Sequence, residues 1–492
     1  MDEFLASVGT QVFPLCPMDT LVSLFSMPYV LFFENASRVH DFMPSEILKD
    51  SFYKALKKFP ILAGHLRDAG KGLLNIVVDK SNLNMPEYTE SSSDTHFGDI
   101  KAARYSWSAW PQGVTNSGLV PAAGASGEIK LATVHIIRLR DNSGVMLFVS
   151  IPHFPMDGTG YLALLNQWAS LCKDMRNGTC GAEVDRSDFL FDRSIIAKNL
   201  PFARKPLDNT TDLVYKTTSL FGEWLAWISP KTRGALLNKL ASMTNLDGHV
   251  FRVPKKSLET MRSEVIAAAP RKMRVSTNDL ITALVSKTFA QVQNEVDTST
   301  SGGVIQLVAS AFSSLCSRVF GKETQQTIAI VSNIRHRLGI VDMNYLGNAM
   351  MVSYFSNPLE KLLEPTTAKS LADTVSSVRQ HVNNIDAPYV GEFVDMISSM
   401  RSCFTQYMAY SAKHPNTLVT SNQTRFEIYG ADFGDGAPSW ISPVQVQASN
   451  LIILLPSPPG DKGVTLYIAA GAPVMKCILK NDYWASVATV IY

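Results

Sequence analysis

"GVMLFVSIPHFPMDGTGYLALLNQW" (residues 144–168) changes its hydrophobic period partway along, and that change decides the fold. From Gly144 to Pro152 the run is apolar and β-rich; after Gly160 the residues Tyr161, Leu164, Leu165, Trp168, Leu171 and Met175 recur at helical spacing. Lys173, Arg176 and Gly178 then supply the end of a helix. Upstream, "KLATVHIIRLR" (130–140) is a second β-rich run, joined to the first by the turn signal "DNSG", so residues 130–153 read as a hairpin. His153 falls at the strand end, Asp157 four positions on, and Gly158 and Gly160 let the backbone fold sharply there. A neutral imidazole at such a place can take a proton from a hydroxyl or an amine. The spacing H-x-x-x-D-G alone fits an ordinary turn beside a surface or core histidine equally well.

Outward from this stretch the chain alternates strands and helices. "SEILKDSFYKALKKFP" (45–60) places Leu48, Phe52, Ala55, Leu56 and Phe59 on one helical face, with Ser45 as the predicted cap and Pro60 as the stop. "YTESSSDTHFGD" (88–99) reads as an exposed loop. Residues from about 180 to 255 break into short apolar pieces and read as a connection, dividing the chain into 1–185, a crossover 186–255, and 256–492. Past it, "VSTNDLITALVSKTFAQV" starts a helix with Ser276 or Thr277 as cap, and "QTIAIVSNI", "LIILLP" and "VTLYIAA" return to strands. The fold class is α/β in both halves.

At 492 residues the chain exceeds one hydrophobic core, so a cleft between domains is expected. A net charge of +2, with both signs mixed along the chain, lacks the basic stripe that nucleic acid requires. The longest apolar stretch, residues 21–33, is too short to span a bilayer, and the acidic N-terminus lacks a secretory signal, which together predict a cytoplasmic protein. Cys16, Cys172, Cys180, Cys316, Cys403 and Cys477 form no C-x-x-C pair, which predicts reduced thiols and no metal site.

These motifs together resemble the BAHD acyltransferases, which transfer acyl groups from coenzyme A thioesters. The resemblance covers nearly the whole chain. It rests on "HFPMDG", on "LCPMDTLVSLFSMPYVLFFEN" (15–35), on "LKDSFYKALKKFPILAGHLR" (48–67), on "STNDLITALVSK" (276–287), on "IRHRLGIVDMNYLGNAM" (334–350), and on "ADFGDG" (431–436) in place of the family's Asp-Phe-Gly-Trp-Gly. It implies two similar α/β domains related to chloramphenicol acetyltransferase, joined by a long crossover, with a channel between them that admits acyl-CoA from one face and the acceptor from the other. It implies His153 as general base, Asp157 as the holder of its loop through an arginine, and Ser421 as a hydroxyl for the oxyanion. The family's arginine position falls near Asn278, which leaves Arg274, or hydrogen bonds alone, as partner for Asp157. Asp432, Gly434 and Gly436 are implied to shape the CoA side. Asp435 and Gln423 stand where plant members carry tryptophan and imply a divergent, fungal-type branch.

The function implied is acyl-CoA-dependent O-acetylation of a hydroxyl on a small secondary metabolite, by a monomer with no resident cofactor and with acyl-CoA as co-substrate. Two other readings share the motif: a condensation-type enzyme with a carrier-bound donor, which normally has a second histidine where this chain has Pro152, and a non-catalytic binding protein. His65, His135 and His336 read as structural, packed or surface, and solvated respectively.

Overall fold

The computed structural model describes residues 1–21, 25–70, 73–114, 120–121, 123, 127–179, 189–217, 224, 228–242, 245–269, 273–299, 324–400, 406–407, 410–411, 413–445 and 448–492. Its strands are β1 (Gln11–Pro14), β2 (Ser26–Glu34), β3 (His65–Gly70), β4 (Leu73–Val78), β5 (Glu87–Ser92), β6 (Thr133–Arg138), β7 (Gly144–Pro152), β8 (Leu246–Val253), β9 (Gln325–Asn333), β10 (Met350–Pro358), β11 (Leu418–Asn422), β12 (Trp440–Pro443), β13 (Leu451–Leu455), β14 (Val464–Gly471) and β15 (Thr489–Val490). They form a small sheet β1-β4-β3, a five-stranded sheet β12-β2-β7-β6-β5 and a seven-stranded sheet β10-β9-β11-β13-β14-β8-β15.

The hairpin read from the sequence is β6–β7, antiparallel with Thr133 opposite Ser150. Its turn puts Asp141 and Asn142 in the left-handed region (φ 58° and 50°), which these short polar side chains tolerate. β7 lies inside the sheet, between β6 and β2, and every residue of it is buried, which is why its sequence is apolar without alternation. The helices Ser45–Leu56 and Gly158–Arg176 pack against each other, and Trp168 Nε1 donates to Leu48 O at 2.9 Å.

The seven-stranded sheet has two different faces. Ile328, Ile330, Leu418, Ile452, Leu454, Leu466 and Ile468 pack on the helices Lys255–Ala268, Thr277–Ser299 and Ala368–Asn384. Val250, Ile453, Leu455, Tyr467 and Ala469, one position out of phase, join instead the core of the first half, which includes Phe154 and Met156. β8, within the stretch read as crossover, is the sixth strand of this sheet. β12 crosses the other way, from the second half onto the edge of the first half's sheet, with Trp440 opposite Phe32.

Two local expectations are corrected. Ser45 does not cap its helix: Pro44 occupies that position, and the Ser45 hydroxyl donates to Glu90 (2.6 Å) and accepts from Arg138 (3.0 Å), charged partners that outbid a backbone N–H. The polar stretch 88–99 is not one loop: residues 87–92 form β5, parallel to β6, and Phe97–Ala102 is helical. An exposed edge strand needs no apolar alternation, so its signal was absent. Ser276 caps its helix as read, in a reciprocal pair with Asp279 (3.2 and 2.9 Å). Cys16, Cys172 and Cys477 are free thiols; Cys180, Cys316 and Cys403 lie outside the described residues. No described helix is long and apolar enough to cross a membrane.

At the first turn of the Gly158 helix the two halves approach closely. A Cβ on Gly160 would lie 2.5 Å from Met156 Cβ and 2.7 Å from the carbonyl oxygen of Leu346. Gly160→Ala should therefore cost about 1–3 kcal/mol, as overpacking does, read as a lowered urea midpoint at unchanged slope.

Candidate active site

β7 ends at Pro152, and the His153 N–H still reaches back to Phe25 O at 2.9 Å, so the imidazole leaves the sheet from a fixed backbone. The next helix starts at Gly158 with Asp157 as its cap, Oδ1 accepting from Thr159 N at 3.0 Å. A five-residue loop with both ends anchored thus carries the histidine. Burial lowers the His153 pKa, the nearby Asp157 charge and the Asn348 amide raise it, and the balance lies below the ordinary histidine value of 6.5. The ring is neutral at pH 7, as a base must be.

Asp157 is held by Arg335, Nη1 to Oδ2 at 2.7 Å and Nη2 to Oδ1 at 3.2 Å, with Ala349 N adding a bond at 3.0 Å. Arg274 is exposed, and Asn278 instead accepts from Asn422 at 2.9 Å, so neither is the partner. The guanidinium comes from the turn after β9 and also donates to the carbonyls of Tyr345 (3.0 Å) and Gly347 (2.8 Å). Burial pushes the Asp157 carboxyl up, but Arg335 and the Ala349 N–H outweigh it and hold the pKa below the ordinary carboxylate value.

A second buried cluster grips the same loop and was not singled out from sequence. Asp19 accepts from Arg193 Nε at 3.2 Å, and Arg193 Nη2 donates to Pro155 O at 2.7 Å. Asn348 Nδ2 donates to Asp19 Oδ1 and to His153 O, each at 2.7 Å. Asp19 and Asn348 sit inside stretches 15–35 and 334–350, so their neighbourhood was legible; Arg193 carried no signal.

Ser421 lies on β11 opposite Val331 of β9 and Ile453 of β13. Ile453 belongs to the face turned toward the first half, so Ser421 lies on that face, while buried Thr420 points the other way and donates to Ala329 O at 3.1 Å. Just beyond, Gln423 accepts from the Tyr29 hydroxyl of β2.

Asp432, Gly434 and Gly436 form one turn, in which Asp432 Oδ1 accepts from both glycine N–H groups at 2.9 Å and Oδ2 meets Lys173 Nζ at 2.7 Å. Lys173 is fifteen positions along the helix from Gly158, about 22 Å at 1.5 Å per residue, so this turn sits at the helix end remote from His153. Asp435 accepts from Met43 N and pairs with Arg176, both at 2.8 Å. Three other histidines weighed from the sequence lie elsewhere: His65 Nε2 is 2.9 Å from Asn82 O, His135 bonds Ser91 at 2.8 Å, and His336 is exposed.

A family model described as the transferase family matches residues 7–483. A hydroxycinnamoyltransferase of Narcissus pseudonarcissus is 21% identical over 463 residues, 93% of this chain and 92% of that protein. A shikimate O-hydroxycinnamoyltransferase of Nicotiana tabacum is 21% identical over 473 residues, covering 95% and 94%. Among solved structures, F. sporotrichioides TRI101 complexed with coenzyme A and T-2 superposes with a TM-score of 0.68 at 13% identity, covering 98% of this chain and all of that one. Vinorine synthase gives 0.61 at 15% identity, covering 97% and 94%. The fold is thus shared nearly end to end.

Because a buried pair broken on one side leaves an uncompensated charge, Arg335→Met should cost about 3–5 kcal/mol, and the double variant Arg335→Met/Asp157→Leu less than the two single costs combined. Chemical denaturation of the four proteins measures the coupling. The sign in pH follows from the depressed Asp157 pKa: the contribution is present above the unfolded carboxylate value of 3.8 and is lost as pH falls through the lower folded value.

Proposed function

The chain belongs to the BAHD acyltransferase family, and we propose that within it this protein is an acyl-CoA-dependent O-acyltransferase, acetylating a hydroxyl of a small secondary metabolite with His153 as general base. The observation that carries the proposal is the neutral His153 on a loop clamped at both ends, because a base useful at pH 7 needs both a free lone pair and a fixed position. Support for the donor comes from TRI101, which is complexed with coenzyme A in its solved structure. The acceptor is proposed as a hydroxyl from the family resemblance; the relatives include both an O- and an N-hydroxycinnamoyltransferase. A fungal-type origin is proposed on the same grounds, from Asp435 and Gln423.

In the proposed reaction His153 removes the acceptor's hydroxyl proton as that oxygen bonds to the thioester carbonyl carbon. The carbonyl becomes an oxyanion, and the Ser421 hydroxyl is proposed to stabilise it; the support is that β11 pairs Ser421 with the inward-facing Ile453. Collapse breaks the C–S bond, and the protonated His153 returns its proton to the CoA thiolate. No acyl group passes onto the protein. Asp157 touches neither substrate; it holds the loop. Asp432, Gly434 and Gly436, proposed from the resemblance to shape the CoA side, do so indirectly, since their polar groups bond one another and Lys173.

Thiol release from acetyl-CoA with pooled hydroxylated alkaloids, terpenoids and polyketides tests this. His153→Ala should lower turnover by about 10²–10⁴-fold with CoA binding by calorimetry unchanged; near-parental turnover would remove the base assignment. Ser421→Ala should lower kcat by about 10²-fold without weakening acceptor binding. Since the base is active when neutral and its pKa is lowered, the acid limb of kcat/KM should fall below pH 6.5, and a limb above that value would contradict the buried imidazole.

A further inference from the structure

Two orphan atoms beside the proposed base point to what sets its proton. Among the described residues, His153 Nδ1 and Asn348 Oδ1 are each buried without a hydrogen-bond partner. They belong to residues already in contact, because Asn348 Nδ2 donates to His153 O at 2.7 Å. The same nitrogen donates to Asp19 Oδ1 at 2.7 Å, and Asn348 is fully buried. Both of its neighbours are pure acceptors, so turning the amide over would set its oxygen against a carboxylate and a carbonyl. The orientation is therefore forced, and Oδ1 is the atom left for the ring. Asp19 is itself held by three further bonds: Oδ2 accepts from Cys16 N (2.8 Å) and Arg193 Nε (3.2 Å), and Oδ1 from Arg193 Nη2 (3.3 Å).

We propose that Asp19 is a positioning residue for acyl transfer: acting through the Asn348 amide, it holds His153 in the Nδ1–H tautomer and leaves the Nε2 lone pair for the acceptor hydroxyl. The Asn348 side chain and the Met156 carbonyl are the acceptors set against the buried ring; an acceptor-only oxygen at Nδ1 selects the tautomer that carries its proton there, and the other ring nitrogen is then the base. Arg193 closes the device, since its Nη2 also holds Pro155 O at 2.7 Å and so ties Asp19 to the loop it orients. This inference rests on the reading of His153 as base, but its test needs no turnover.

The test is long-range proton–nitrogen NMR of the whole chain labelled with ¹⁵N-histidine, in neutral solution, with the His153 signal among nine histidines assigned by its loss in His153→Ala. The resting protein should show a protonated Nδ1 and an unprotonated Nε2; a proton on Nε2 overturns the proposal, whatever the variants do. Asp19→Asn and Asn348→Ala should then give mixed tautomers, with kcat down on the order of 100-fold and the KM values for donor and acceptor little changed. Folded variants that keep the Nδ1–H tautomer and the parental kcat while only melting earlier would make the cluster merely structural and sink the idea. Should His153→Ala keep its turnover while the tautomer is as stated, the base reading fails and the positional coupling stands.

Discussion

The buried pair between Asp157 and Arg335 is the constraint on which the rest of the site depends. Removing two charges from water costs more than their attraction returns unless their other hydrogen-bonding capacity is met. Here it is met: the carboxylate accepts from Thr159 N and Ala349 N, and the guanidinium donates to Tyr345 O and Gly347 O. The partners lie 178 positions apart, one starting a helix of the first half and the other in a turn of the second. The pair therefore fixes register between halves, and the loop that carries His153 is stretched between this anchor and the end of β7.

The same burial acts in opposite senses on the two titratable groups. For His153 it is the largest influence and favours the uncharged ring, whereas for Asp157 it is opposed by a full positive charge within 2.7 Å. An unpaired carboxylate four residues from the imidazole would pull its pKa up strongly. Because that charge is committed to Arg335, its pull on His153 is too weak to cancel desolvation. A charged Asp157 and a neutral His153 coexist for this reason.

Much of this was legible in the chain. Residues 144–168 announce strand, loop and helix because β7 is central and the helix is amphipathic, so each period reports its burial directly. The family resemblance placed His153, Asp157 and Ser421 in order. What was not legible depends on distant pairing. Arg335 lies within residues 334–350, but nothing local in "IRHRLG" distinguishes a buried guanidinium from a solvated one. Asp19, Arg193 and Asn348 meet across 174 and 329 positions, and no periodicity encodes a contact of that kind. β5 hid behind its exposed serines, and Ser45 gave a cap signal that Glu90 and Arg138 diverted.

The two departures from the family pattern belong to one arrangement. Asp435 replaces an aromatic with a carboxylate that reaches Met43 N and Arg176, and Gln423 replaces another with an amide that meets the Tyr29 hydroxyl. Each tie runs from the second half to the first, as ring packing would, but with a direction that packing lacks. The consequence is clearest for the helix Gly158–Arg176, whose start is fastened by Arg335 through Asp157 and whose last turn is fastened through Lys173 to Asp432 and through Arg176 to Asp435. A rod pinned by the second half at both ends cannot slide or tilt without breaking ion pairs. The turn of residues 432–436 therefore holds the far end of the helix, about 22 Å along it from the end at which the His153 loop closes.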